Sequence, residues 1–178
     1  DGRYGNRRAI DVIVRMAAAH GVEKIILTVD GILSTPAASH LIRTRKAVGG
    51  IILSASHNPG GSDGDFGVKL NGENGGPASE SLTNLIFECT QTLDAYSIIE
   101  HRKIALDVPG EYLVNSMKVE VISGLDDYIK LMQEIFDFDQ ISAFISQGFP
   151  ITFDALNAVT GPYAKRVFET LLGAPKGT

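Results

Sequence analysis

A single cysteine, Cys89, stands among 178 residues. One thiol excludes an internal disulfide, and no Cys/His spacing of the metal-binding kind exists. No apolar run approaches the ~18 residues a membrane helix needs. No Asn-x-Ser/Thr sequon occurs. Basic excess is lacking too: 16 Lys and Arg stand against 21 Asp and Glu, a net charge of −5. That balance argues against a general binder of nucleic acid or anionic membrane. An anionic ligand would have to be met by a local cluster of cations. Together these features fit a cytoplasmic protein.

Several chemical templates are missing as well. G-x-S-x-G is absent, which argues against an α/β-hydrolase elbow. G-x-x-x-x-G-K-[ST] is absent, which argues against a P-loop, and no G-x-G-x-x-G follows a strand. Asp63-Gly64-Asp65 starts like a calcium loop. Its fifth position is Gly67, its sixth Val68 and its twelfth Asn74, so the EF-hand pattern fails.

What is present is a globular composition, 44% hydrophobic and 21% charged, suited to a packed core. The length fits one domain, or one domain and part of another. The chain opens Asp1-Gly2-Arg3 and stops at Pro175-Lys176-Gly177-Thr178, and both ends read as cuts through a longer protein. Ile10, Ile13, Val14 and Ala17 follow helical spacing, Asp11 and Arg15 can pair on the outer face, and Gly21 stops the helix. Lys24 to Val29 reads as a buried strand. Thr35 caps a second helix that has Pro36 at its first position and runs to Ala47 or Val48. Ile51 to Ser54 is a second strand. A third helix opens at Pro77 and Ser79 and aligns Leu82, Leu85, Ile86, Cys89 and Leu93 on one face. Residues 101 to 124 read as short strands with a turn at Pro109-Gly110. A helix over Leu125 to Phe136, with Tyr128, Met132, Ile135 and Phe136 inward, follows. A strand at Ile151 to Phe153 and a last helix from Pro162 to Leu172 complete the chain. The alternation favours an α/β layered fold, with a boundary near Gly124. Such folds place ligands at the carboxyl ends of strands.

One such end carries SASHNPGG, Ser54 to Gly61. A Gly- and Ser-rich connection ordinarily only caps backbone amides. Here Ser56 and His57 are adjacent, Asn58-Pro59-Gly60-Gly61 forces a sharp turn whose N–H groups can face an anion, and Lys69 follows a short loop away. A nucleophilic serine, an imidazole, exposed amides and a lysine are parts of a phosphate-handling site. Other polar positions read more plainly. Ser54 is a strand-end hydroxyl, Ser34 and Thr35 are helix caps, and Cys89 is core packing. His20 favours a helix dipole, and His40 and His101 have no role.

The run SASHNPGG, with Gly64-Asp65-Phe66-Gly67-Val68-Lys69 and Asn74-Gly75-Gly76-Pro77, resembles the active-site loop of the phosphoglucomutases, in the α-D-phosphohexomutase superfamily. Asp1-Gly2-Arg3-Tyr4, Gly31-Ile32-Leu33-Ser34-Thr35-Pro36-Ala37, Ile135-Phe136-Asp137-Phe138 and Gly161-Pro162-Tyr163 resemble other pieces of that family. The likeness is greatest to the eukaryotic glucose type and to the parafusin-related branch. It implies a layered α/β/α domain with a mixed sheet over residues 1–124, and the opening of a second, similar domain over 125–178.

The resemblance also implies roles. Ser56 would carry the phosphoryl group, with His57 and Lys69 as its catalytic neighbours and Asn58 and Arg3 meeting the substrate. The phosphate on Ser56 would be one ligand of Mg²⁺. The implied reaction interconverts glucose 1-phosphate and glucose 6-phosphate through glucose 1,6-bisphosphate, with a small phosphosugar and no nucleic acid as partner. The family's Asp-Gly-Asp-Gly-Asp-Arg metal loop and its sugar-specificity loop are not in this sequence, so the chain alone is expected to be inactive. Asp154-Ala155-Leu156-Asn157-Ala158 stands where the family often has Asp-Ala-Met-His-Gly. Two alternatives remain open: a non-catalytic relative acting in exocytosis or adhesion, and a mutase for another hexose phosphate.

Overall fold

The computed structural model describes residues 1–178. The chain divides into two compact units, Asp1–Ser123 and Gly124–Thr178. The first is an α/β unit with parallel and antiparallel strand pairs. Helix α1 (Asn6–Ala19) leads to β1 (Lys24–Thr28), α2 (Thr35–Thr44), β2 (Gly49–Leu53), β3 (Val68–Gly72), α3 (Glu80–Gln91), β4 (Gly110–Val114) and β5 (Met117–Ile122). Strand β5 lies between β1, to which it is parallel, and β4, to which it is antiparallel. Strands β2 and β3 form a separate antiparallel pair.

Periodicity explains the core. On α1, Ile10, Val14 and Ala18 are buried at four-residue steps, which places them on one helical face. On β5, Met117, Val119 and Val121 are buried, while Lys118 is exposed and Glu120 half-buried between them, the period-two pattern of a pleated strand. These six side chains, with Val114, Leu53, Ile104 and Leu106, make one cluster. Leu53 is the last residue of β2, so the segment that leads to the serine loop is tied into the main core.

Local signals are honoured with small shifts. Gly21, at φ 76°, ends α1, and Arg15 and Asp11 pair across one turn at 3.9 Å. The cap of α2 is Ser34 rather than Thr35: its hydroxyl accepts from the Ala37 N–H at 3.4 Å, and Thr35 is already helical. Ser79 caps α3 by the same contact with Leu82. The turn of the β4–β5 hairpin is Asn115-Ser116, not Pro109-Gly110, because Val114 pairs with Met117 and Asn115 takes φ 54°, a conformation asparagine tolerates. His101 faces Asp11. Its side chain is 6% exposed and its Nε2 lies 3.2 Å from Asp11 Oδ1.

Helix α3 departs from expectation in packing, not in existence. Its apolar positions meet no core: Leu85 is 58% exposed, and Cys89 is exposed rather than packed. A 3.6-residue period fixes which side chains share a face, but burial also needs an opposing apolar surface. The core of this unit lies against α1 and β5.

The second unit is helical: α4 (Asp126–Ile135), α5 (Phe138–Ser146) and α6 (Gly161–Ala164), which runs on into a π-helical stretch over Lys165–Leu171. In α4 the buried residue is Ile129. Tyr128 meets Tyr163 edge-on at 5.6 Å, whereas Ile135 and Phe136 are exposed. The strand expected at Ile151–Phe153 does not form. No strand lies in this unit to pair with it, and a lone strand leaves its backbone groups without a ladder. Helix α5 was not among the expected elements, although Asp137-x-x-Gln140 signals its start. Asp137 accepts from the Gln140 N–H at 2.9 Å and from the Gln140 side chain at 2.8 Å, a capping-box variant. No helix is long and apolar enough to cross a membrane.

Candidate active site

The geometry starts from the β2–β3 ladder. Ile52 stands opposite Lys69, and Leu53 opposite Val68. One more bond extends the ladder: the Ser54 N–H donates to Gly67 O at 2.9 Å. Residues 54–67 therefore leave and return at one stem, as a compact surface loop does. That closure brings Lys69 alongside Ser56, thirteen residues earlier. Lys69 Nζ donates to Ser56 Oγ at 2.8 Å.

The loop is held from within. The Asp65 N–H donates to Pro59 O at 2.9 Å, and the Asn58 N–H to Ala55 O at 3.1 Å. The Asn58 side-chain amide donates to Asp65 Oδ2 at 2.9 Å, linking the two limbs. Ser54 is buried, and its hydroxyl accepts the Ser56 N–H at 3.1 Å. Ser56 itself has φ 55°. For a residue with a Cβ this left-handed conformation costs about 1–2 kcal/mol, so it persists only where neighbours fix it. The strained residue is the exposed serine whose hydroxyl faces the ammonium group.

Of the residues expected to form the site, Ser56 and Lys69 are in contact, and His57 is exposed beside Ser56. Asn58 and Arg3 have partners within the loop itself. The side-chain amide of Asn58 is taken up by Asp65. The Arg3 guanidinium donates to the carbonyl oxygens of Ser56, Asn58, Pro59 and Asp65. Both side chains bind the loop, whose sharp turn leaves carbonyls that need donors. Ser54 is the structural strand-end hydroxyl expected of it, placed two residues before Ser56 to accept its N–H.

The other flank of the loop is different in chemistry. Gly61, Gly64 and Phe66 border a hollow of about 460 Å³ that Tyr4, Ala9, Ile13 and Val68 also line. That lining is mostly apolar, with Arg8 and Ser62 among its polar members. The Mg²⁺ expectation meets a limit in the donor set. No three His, Cys, Asp or Glu side chains converge anywhere, and a divalent cation of this kind needs several oxygen donors. The chain's own residues do not make a cation cage.

The stem tolerates no side chain at Gly67. A Cβ there would lie 2.4 Å from Ser54 O, so the ladder bond that closes the loop must open. Gly67→Ala is expected to lower stability by about 1–3 kcal/mol, read as a shift of the urea midpoint. An unchanged midpoint would show that the stem is not strained by the added methyl group.

The family model for phosphoglucomutase/phosphomannomutase α/β/α domain I matches residues 1–97. The phosphoglucomutase of Rhizobium radiobacter is 50% identical over 178 residues, covering 100% of this chain and 33% of the relative. Phosphoglucomutase-1 of Homo sapiens is 43% identical over 183 residues, covering 98% of this chain and 33% of the relative. Among solved structures, the exocytosis-sensitive phosphoprotein parafusin of Paramecium, a phosphoglucomutase in its open form, matches with a TM-score of 0.93 and 42% identity. That match covers 99% of this chain and 34% of the other. The chain thus spans about a third of the length of the curated relatives it matches. With its mixed-strand α/β unit and domain I match over more than half its residues, the chain belongs to the phosphoglucomutase/phosphomannomutase family.

Proposed function

We propose that this chain carries the phosphoryl-bearing serine of a phosphoglucomutase. The observation that supports it most is the Lys69 Nζ contact with Ser56 Oγ at 2.8 Å, on a loop fixed in a strained conformation. In this reading Ser56 holds a phosphoryl group on Oγ and passes it to the free 6-hydroxyl of glucose 1-phosphate. Glucose 1,6-bisphosphate results, its 1-phosphate returns to Ser56, and glucose 6-phosphate leaves. Phosphoryl transfer is mostly positioning and charge stabilisation. Lys69 supplies a cation at the bridging oxygen, and the loop supplies the position.

Residues 1–124 would then serve as the nucleophile-bearing domain, and 125–178 as the opening of a second. His57 would steady a phosphate oxygen, and a cytoplasmic setting belongs to the same proposal. Mg²⁺ enters it only through the phosphate on Ser56, the one donor this chain would offer, with the other ligands supplied from outside these residues. Glucose is favoured over other hexoses by the names of the relatives. The likeness to parafusin keeps an exocytosis-linked role in view, but that protein is itself described as a phosphoglucomutase.

The test is a coupled assay on the protein that carries this chain. Glucose 1-phosphate, Mg²⁺ and a trace of glucose 1,6-bisphosphate go in, and glucose 6-phosphate is read, with mannose 1-phosphate and N-acetylglucosamine 1-phosphate in parallel. Turnover highest on glucose 1-phosphate supports the proposal. A preference for another sugar moves the chain within its family. No turnover on any of them, with no phosphate on Ser56, overturns the catalytic reading.

A further inference from the structure

Arg3 precedes Ser56 by 53 residues in sequence, yet its side chain is only 10% exposed and reaches across the serine loop. Its Nη2 donates to Ser56 O at 2.7 Å and to Asn58 O at 3.0 Å. Its Nη1 donates to Asp65 O at 3.1 Å and to Pro59 O at 3.4 Å. Its Nε lies 3.4 Å from Asp1 Oδ2. A guanidinium has four terminal N–H groups and one on Nε. Here four carbonyls meet the former, and the latter is buried beside the Asp1 carboxylate without a hydrogen bond, so no terminal donor is left for a substrate.

The choice of carbonyls is informative. Ser56, Asn58 and Pro59 lie on the outgoing limb of the loop and Asp65 on the returning one. One planar group therefore joins both limbs and grips the nucleophile's own peptide. Ser56 is then held at three atoms: its N–H by Ser54 Oγ, its C=O by Arg3, and its Oγ by Lys69. Two of the three are backbone contacts that fix its φ and ψ. A left-handed serine needs such over-determination, and a flat fork with five fixed donors provides it where a single ammonium could not.

We infer that Arg3 is a positioning residue: its guanidinium clamps the serine loop in the conformation that points Ser56 Oγ at Lys69. The inference rests on the phosphoryl-transfer reading only for its kinetic consequence, because the clamp itself is a property of the loop. Arg3→Ala and Arg3→Lys are compared with the wild type in the protein that carries this chain. Backbone amide exchange over residues 56–65 and steady-state kinetics are both read.

Both variants should raise amide exchange in 56–65 at least about tenfold, while exchange in β5 stays as it was. Both should lower kcat by about ten- to a hundredfold and leave KM for the sugar phosphate within about threefold. Lysine should not rescue, since it keeps the charge and loses the fork. A rise in KM with kcat preserved would make Arg3 a substrate ligand and overturn the inference, as would full rescue by lysine. Unchanged exchange in the loop would overturn it whatever the kinetics. If a variant does not fold, the Arg3 guanidinium signals of the wild type decide by NMR. They should be slow to exchange in the free protein and unmoved by saturating glucose 1-phosphate; signals that exchange freely, or shift on binding, would end the clamp. The exchange measurements need no turnover, so failure of the mutase assay and failure of the clamp are separable.

Discussion

Ser56→Ala is expected to reduce mutase turnover by at least about 10⁴-fold, the scale seen when a covalent nucleophile is removed. The melting temperature should stay within about 2 °C, because few contacts change. The reason lies in which atoms hold the loop. The Ser56 N–H is bonded to Ser54 Oγ and the Ser56 C=O to Arg3, and alanine keeps both groups. The left-handed φ of 55° is no harder for alanine than for serine by the Cβ clash itself. Only the Lys69 contact is lost, and Ser56 is exposed there. Turnover and thermal melting are measured on one preparation. Residual activity above about a tenth of wild type would remove Ser56 from the role of phosphate carrier. A large drop in melting temperature would mean that the hydroxyl is structural.

Lys69→Met should cut kcat by about 10²–10³-fold, the usual cost of losing one group aimed at developing charge. Methionine keeps an unbranched stem, so the substitution removes the charge with little change of shape. The strand should survive, since the ladder bonds of β3 are backbone bonds in register with Ile52 and its neighbours. Stability is therefore expected to move by less than about 1 kcal/mol, as for an exposed site. Lys69→Arg makes a useful contrast. It restores charge but not a point ammonium at 2.8 Å, and partial recovery is the expected result. A change under about threefold in the methionine variant would return Lys69 to the status of an ordinary exposed lysine.

Much of the site was readable from eight residues. Ser54 to Gly61 combine a strand end, an exposed serine and a forced turn, and each is a local property of the chain. Lys69 was also visible, as a cation soon after a glycine-rich loop. The contact between Lys69 and Ser56 was less so, since it depends on Ile52 and Lys69 being partners across the β2–β3 ladder. Arg3 and Asn58 were given to the substrate because donors near a phosphate site invite that role. Their partners within the chain are loop carbonyls and Asp65, which are invisible until the turn is built.

The same division runs through the fold. The caps at Ser79 and Asp137 and the stop at Gly21 obey near-neighbour rules, in which a side chain or a φ angle answers to residues one to three away. So does the alternation of Met117, Val119 and Val121. The sequence by itself determined those features, and with them the α/β character and the serine loop. Tertiary structure alone decided that Cys89 and the α3 face meet no core, that Ile151–Phe153 has no strand partner, and that Arg3 closes on Ser56. Each of these depends on a surface or a donor from elsewhere in the chain. A helix can be specified by its own residues, but what covers it, and what a guanidinium 53 positions away will reach, is settled only by packing.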